Sequence, residues 1–171
     1  LNDGASLTLT NTVATHVTAT LHNDALTRPM DALVAEIRQL PADATAERYQ
    51  LVLRPWLWWL TLASNNRVFQ NLSTSDIVTT IFKAHGFTDF LLKLSGSYTP
   101  REYCVQYGET DFVFVSRLLE EEGIFWFFTH EEGKHTLVLG DSNDAFVPIP
   151  NGPKVNYLGQ QLGERELHGI R

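Results

Sequence analysis

Cysteine is almost missing from this sequence: Cys104 is the single one in 171 residues. No intrachain disulfide can form, and no cysteine-based zinc site exists. Such usage suits a cytosolic origin. Positive charge is also scarce, with 13 Lys and Arg against 20 Asp and Glu and a net charge of −7 with His neutral. Binding nucleic acid by phosphate neutralisation needs a basic patch. Arg48, Arg54, Arg67, Arg101 and Arg117 are scattered instead, so no nucleic-acid partner is expected. Long apolar runs are absent too. The longest, residues 55–63, is far shorter than the roughly 20 residues that span a bilayer. The opening "LNDGASLTLT" has no basic region followed by an apolar block, so no signal peptide is expected. It lacks an initiator methionine as well, and the chain is expected to be a fragment of something longer. No tandem repeat, low-complexity tract or block of like charge occurs.

What is present is enough for a core. The chain is 43% hydrophobic and 19% charged, a balance that folds. Its length suits one domain or two small ones. The expected class is α+β, strand-rich, in three zones. Residues 1–50 are rich in Thr, Val and Ala, with strand-like stretches at 7–10, 16–21 and 48–53. Turns are expected at "HNDALTRP" (22–29) and "PADATAE" (41–47). "DALVAEIRQL" (31–40) holds good helix formers, yet its flanking turns and β neighbours favour a strand.

Residues 51–145 carry clearer signals. "PWLWWLTLAS" places Pro55 at a first helical position, where its missing N–H costs nothing. "STSDIVTTIFKAHG" predicts a helix capped by Ser73, with Asp76 as the capping-box acid and Gly86 as the stop. Ile77, Ile81 and Ala84 share one face, widened by Val78 and Phe82. "LLKLSGSY" and "EYCVQY" read as strands. "TDFVFVSRLLEEEG" predicts a second helix, with Thr110 as N-cap, Asp111 near the positive end and Gly123 at the stop. A hairpin follows: "IFWFFTH", the turn "EEGK", then "HTLVLGD". Residues 146–171, rich in Gly, Pro and Asn, read as a linker leaving the domain.

The chemical candidates are weak. A glycosidase needs two facing carboxylates, roughly 5–5.5 Å apart for retention or 6.5–9.5 Å for inversion. Glu120, Glu121 and Glu122 are consecutive on a helix, each rotated about 100° from the last, and cannot form such a pair. They read as a solvated face, or an interface awaiting Arg or Lys. In "IFWFF" both strand faces are apolar, which predicts a strand buried on both sides or covered by another element. Pairing across "EEGK" sets Phe128 opposite Leu137, Trp126 opposite Leu139 and Phe127 opposite Val138. Aliphatic partners favour core or subunit interface over a ligand platform. The same register makes His130 and His135 cross-strand neighbours, with Glu131 and Glu132 nearby. A zinc ion would want a further well-placed ligand, so no metal is expected there. His85 suits a helix end. Cys104, between Tyr103 and Val105, reads as a small core residue. Ser95-Gly96-Ser97 is no nucleophile elbow, and no phosphate-binding glycine loop occurs. No catalytic residue, cofactor or metal ligand is therefore assigned, and the chain is not expected to be an enzyme.

Two long blocks carry a resemblance. "LRPWLWWLTLASNNRVFQNLSTSDIVTTIFKAHGF" and "LSGSYTPREYCVQYGETDFVFVSRLLEEEGIFWFFTHEEGKHTLVLGDS" strongly resemble the VgrG family, the spike proteins of the type VI secretion system, also met as Rhs-element Vgr proteins. The match is dense from about residue 48 to residue 142. "MDALVAEIRQL" lies where the family has a strand after a phenylalanine-histidine-glycine signature, which this sequence does not keep. The resemblance implies a homotrimeric, phage-tail-hub-like assembly. Residues 1–50 would be part of a β-barrel-like hub domain, 51–145 an α/β hub segment, and 146–171 a linker toward a second barrel. It implies as partners the hexameric tube protein (Hcp), the secretion baseplate and effector proteins, and a target membrane reached only through a needle outside this sequence. The protein would sit in the bacterial cytoplasm before firing and then be delivered into a target cell. The alternatives are the baseplate hub of a contractile phage tail and a tail-associated cell-wall hydrolase.

Overall fold

The computed structural model describes residues 12–23, 26–43 and 46–147. Three antiparallel strands open the fold: β1 (His16–Asn23), β2 (Leu26–Asp43) and β3 (Ala46–Arg54). The stretch 31–40 is a strand as expected, because its alternate side chains meet β neighbours and leave its helix propensity unused. At 18 residues β2 is far longer than the sequence suggests. Its first half pairs with β1 from Leu26 to Leu33, its second half with β3 from Leu33 to Asp43. A bulge between Val34 and Glu36 marks the change of partner. The turn expected over 22–29 is therefore shorter than proposed, since Arg28 and Pro29 already pair with β1. Pro29 is tolerated there because that half of β2 has no β3 beside it to demand an N–H. The expected strand at 7–10 lies outside the described residues.

The remainder alternates short elements. A 3-10 helix (Trp56–Leu62) follows Pro55, which caps it instead of entering it. Then come β4 (Ser64–Phe69), α1 (Thr74–Ala84), β5 (Phe90–Lys93), β6 (Cys104–Thr110), α2 (Asp111–Glu121), β7 (Phe125–Glu131), β8 (Lys134–Gly140) and a 3-10 turn (Asn143–Ala145). The Ser73–Asp76 capping box forms in full at α1. The Thr110 hydroxyl accepts from the Val113 N–H at 3.2 Å to cap α2. Gly123 follows α2 with φ +69°, a conformation that costs other residues roughly 1 kcal/mol. The buried stripe of α1 is Ile77, Val78, Ile81 and Phe82, while Ala84 is exposed. It packs with Phe114, Leu118 and Leu119 of α2, with Trp56, Leu57 and Leu60, and with Leu137 and Leu139.

Two small sheets frame this core. β4 and β6 pair antiparallel, and a second sheet has the order β5-β8-β7, with β5 parallel to β8. Only residues 91–93 of "LLKLSGSY" are strand, in a β5 that begins at Phe90; the chain then turns toward Asp141. The hairpin register is as expected, with Trp126, Phe127 and Phe128 opposite Leu139, Val138 and Leu137. Burial on both faces belongs to a different strand. β8 is central, with Leu137, Val138 and Leu139 all buried, whereas Trp126 on the edge strand β7 is 41% exposed. An edge strand has one flank and part of one face open whatever its hydrophobicity. No closed barrel forms among the described residues.

Candidate functional site: charge clusters at the helix ends and the sheet junction

The glutamate row meets arginine. α2 stops at Glu121, and Glu122, in the cap, turns back. Arg101 Nη1 donates to Glu121 Oε2 at 2.6 Å and Nη2 to Glu122 Oε1 at 2.8 Å. Two neighbouring carboxylates thus converge on one guanidinium, which an uninterrupted helix would forbid; the helix end is what permits it. Glu122 also accepts from the Thr74 hydroxyl at 3.0 Å, tying α2 to the first turn of α1. Arg117 donates to Glu109 at 2.7 Å and approaches Glu121 at 3.6 Å. Glu120 is exposed. The row is a clamp. Arg101→Ala is expected to cost about 1 kcal/mol, and less in about 1 M salt, because the pairs are partly solvated. Urea unfolding at low and high salt checks this, and an equal loss in both would disprove the ionic account.

A second cluster centres on Asp111, the first residue of α2 and fully buried. It accepts from Asn65 at 3.0 Å, Arg67 at 3.1 Å, Gln106 at 2.7 Å and His85 at 2.7 Å. Burial alone would raise its pKa. The donors Gln106, His85 and Asn65 and the Arg67 charge outweigh burial and hold the carboxyl below its ordinary value. His85 is the cap residue of α1, as its place before Gly86 suggests, and it bonds across to the other helix.

The third cluster joins the first sheet to the hairpin. Asp31 of β2 is buried, and its Oδ1 accepts from His16 Nδ1 and His135 Nδ1, each at 2.7 Å. Its Oδ2 accepts from the Thr18 hydroxyl at 3.1 Å, and the Thr18 Oγ1 accepts from the Gly133 N–H at 2.8 Å. His130 Nδ1 donates to the Asp31 carbonyl at 3.0 Å. His130 and His135 are cross-strand neighbours as expected. Their partners, however, come from residues about a hundred positions earlier, and not from Glu131 or Glu132.

His16, Asp31 and His135 lie close enough to resemble a metal triad. The protons argue otherwise. The Trp56 N–H donates to His135 Nε2 at 2.8 Å, so that nitrogen keeps its lone pair and the ring proton sits on Nδ1. A metal at Nδ1 would move the proton to Nε2, against the Trp56 N–H. A ligating histidine needs an acceptor behind it, and here a donor stands there. Burial pushes the His135 pKa below its ordinary value, against the pull of Asp31, which agrees with a neutral ring.

The other candidates are buried or tied to neighbours. Cys104 is buried, and burial raises its thiol pKa, the opposite of an activated nucleophile. Ser95 and Gly96 give their N–H groups to Asp141 at 2.8 and 2.7 Å, and these bonds hold that carboxyl well below its usual range. Burial and the same carboxylate push Tyr98 up to about 12. The scattered arginines are spent on local partners: Arg67 on Asp111, Arg101 and Arg117 on glutamates, Arg54 over the Trp58 ring. Sequence reading missed Asp31 and Asp111 as buried acids. The one available signal was an aspartate inside an apolar run, in "MDALV" and "TDFVFV".

Similarity to known proteins bears on what such a scaffold belongs to. The phage tail baseplate hub (GPD) family matches over residues 1–171. Type VI secretion system spike protein VgrG1b of Pseudomonas aeruginosa is 45% identical over 144 residues, covering 84% of this chain and 19% of that protein. The actin cross-linking toxin VgrG1 of Vibrio cholerae is 37% identical over 123 residues, covering 71% of this chain and 11% of that protein. Among solved structures, the E. coli c3393 protein superposes with a TM-score of 0.72 and 26% identity, covering 81% of this chain and 39% of that one. It is described as a component of the type VI secretion system with structural similarity to T4 bacteriophage tail proteins gp27 and gp5. This chain spans less than a quarter of the curated relatives it matches. It belongs to the phage tail baseplate hub family and is a VgrG-family protein.

Proposed function

We propose that this chain is the N-terminal hub portion of a type VI secretion spike, a structural part that joins the hexameric tube to the membrane-puncturing needle. The observation that carries the reading is the 45% identity to VgrG1b over 84% of the chain. The stretches matched by the toxin relative and by VgrG1b, 71% and 84% of this chain, must overlap, which supports reading the overlap as a part common to spike proteins. In this reading residues 1–50 belong to a barrel-like domain, 51–145 to an α/β hub segment and 146–171 to a linker. Leu21, Met30, Leu40 and Leu51 leave apolar surface exposed on the first sheet, which suits a sheet completed by neighbouring parts of a homotrimer. The tube protein, the baseplate and the effectors are the proposed partners. The protein waits in the bacterial cytoplasm and leaves with the tube.

No step of chemistry is assigned to this region. Every carboxylate cluster described above is occupied by arginine, histidine or backbone donors that position helices and sheets. The test replaces Glu120, Glu121 and Glu122 together by glutamine in the full-length protein, which keeps their hydrogen bonding. Cell-wall hydrolysis by the purified protein is expected to be unchanged; a loss of hydrolysis would sink the hub reading in favour of an enzyme. Light scattering of the full-length protein is expected to give a trimer, and a monomer there overturns the assembly.

A further inference from the structure

We propose that His16, Asp31 and His135 form an acid-labile clasp, which docks the first sheet on the β7–β8 hairpin at neutral pH and releases it on acidification. The clasp is a property of this fold and does not depend on trimer assembly. Its bonds run between elements distant in sequence. Asp31 of β2 takes His135 of β8, the Asp31 carbonyl takes His130 of β7, and Thr18 of β1 takes the hairpin-turn N–H of Gly133. Behind His135 the Trp56 N–H closes the chain of bonds at the 3-10 helix.

The ring of His135 has no room for a second proton. Nδ1–H already faces Asp31, and a proton on Nε2 would point at the Trp56 N–H, donor against donor. Charging this ring therefore breaks the Trp56 bond and places a buried imidazolium beside the sheet junction. The titratable groups facing His135 are His16 from β1, Asp31 from β2 and His130 from β7; the 3-10 helix contributes only the Trp56 N–H. A proton on His16 stays paired with Asp31, since its Nδ1–H keeps donating. A proton on His130 Nε2 leaves its Nδ1 bond to the Asp31 carbonyl in place. Of the three rings only His135 is buried completely, so it is the one that cannot carry a charge in place.

The direction with pH follows from burial. His135 in the clasp binds a proton less readily than a free imidazole, whose pKa is about 6.5. The clasp is thus at full strength above about pH 6.5 and weakens as the pH falls below it. Asp31 is also held below its ordinary value: burial opposes this, but the bonds from His135, His16 and Thr18 prevail. Its contribution persists until the pH falls below about 3.8, so it does not cause the weakening that begins below about pH 6.5.

Hydrogen exchange on the full-length protein tests this, with rates normalised for intrinsic exchange. Protection of the Trp56 and Gly133 amides is expected to fall severalfold between pH 7.5 and pH 5, with a ceiling of about thirtyfold set by one power of ten per pH unit below the ordinary imidazole pKa of about 6.5. Protection in α1 and α2 is expected to hold. His135→Gln should abolish the pH dependence, whatever its effect at pH 7.5, and His16→Gln should keep it. If His135→Gln does not fold, the unsubstituted profile and His16→Gln still decide. A flat profile, a fall spread equally over α1 and α2, or an undiminished fall in His135→Gln each overturns the clasp.

Discussion

Asp111→Ala is expected to lower the folding free energy by about 3 kcal/mol, the low end of what removing one partner of a buried ion pair costs. The low end applies because Arg67 is 29% exposed and His85 21% exposed, and both recover some water. The loss has two sources. Arg67, Asn65, Gln106 and His85 all lose their shared acceptor, and Gln106 is fully buried. The first turn of α2 also loses a carboxylate at its positive end. Asp111→Asn keeps the shape and one acceptor oxygen and should cost less. Urea unfolding, compared at constant slope, measures both. A loss under about 1 kcal/mol for the alanine variant would mean the cluster is incidental.

The same carboxylate sets a pH dependence. Its pKa is lower in the folded protein than in the unfolded chain, so its stabilisation is complete above the ordinary carboxylate range. The stabilisation is lost as pH falls through the depressed value, below about 3.8. The difference between Asp111→Ala and the parent protein should therefore begin to shrink as the pH falls below about 3.8.

Trp56→Ala is expected to cost about 3–5 kcal/mol, the usual range for removing a large buried aromatic ring. Trp56 stacks on Phe87 at 4.7 Å and meets Phe82 and Phe128 edge-on at 5.0 and 6.2 Å. It thus joins α1 to the β7 strand from a 3-10 helix that Leu57 and Leu60 also anchor in the core. The backbone N–H that it gives His135 survives in the alanine variant, so the loss reports packing and not the clasp. Trp56→Phe should recover more than half of the loss, because the indole N–H has no hydrogen-bond partner among the described residues. Equal losses for alanine and phenylalanine would show that a six-membered ring does not restore the packing, against this account.

Local rules were enough for much of this protein. Ser73 with Asp76, Thr110, Gly86 and Gly123 bound both helices, because caps and positive-φ stops depend on residues within one turn. The "EEGK" turn set the hairpin register, since a short turn leaves only one pairing of the flanking strands. The family blocks made the VgrG membership legible.

Position within the fold decided the rest. Whether "IFWFF" lay at the middle or the edge of its sheet depended on where β5 docks, and β5 comes more than thirty residues earlier. Apolar strands of either kind look alike in sequence. The length of β2 depended on two successive partners, neither of which leaves a trace in its own residues. Asp31 and His135 are 104 positions apart, and nothing in the spacing of either announces the other. A buried carboxylate is stable only where donors surround it, and those donors are gathered by the tertiary fold. The sequence by itself determined the local elements and the kinship; the long-range pairing of strands decided which face is covered, which acid is buried and which histidine must stay neutral.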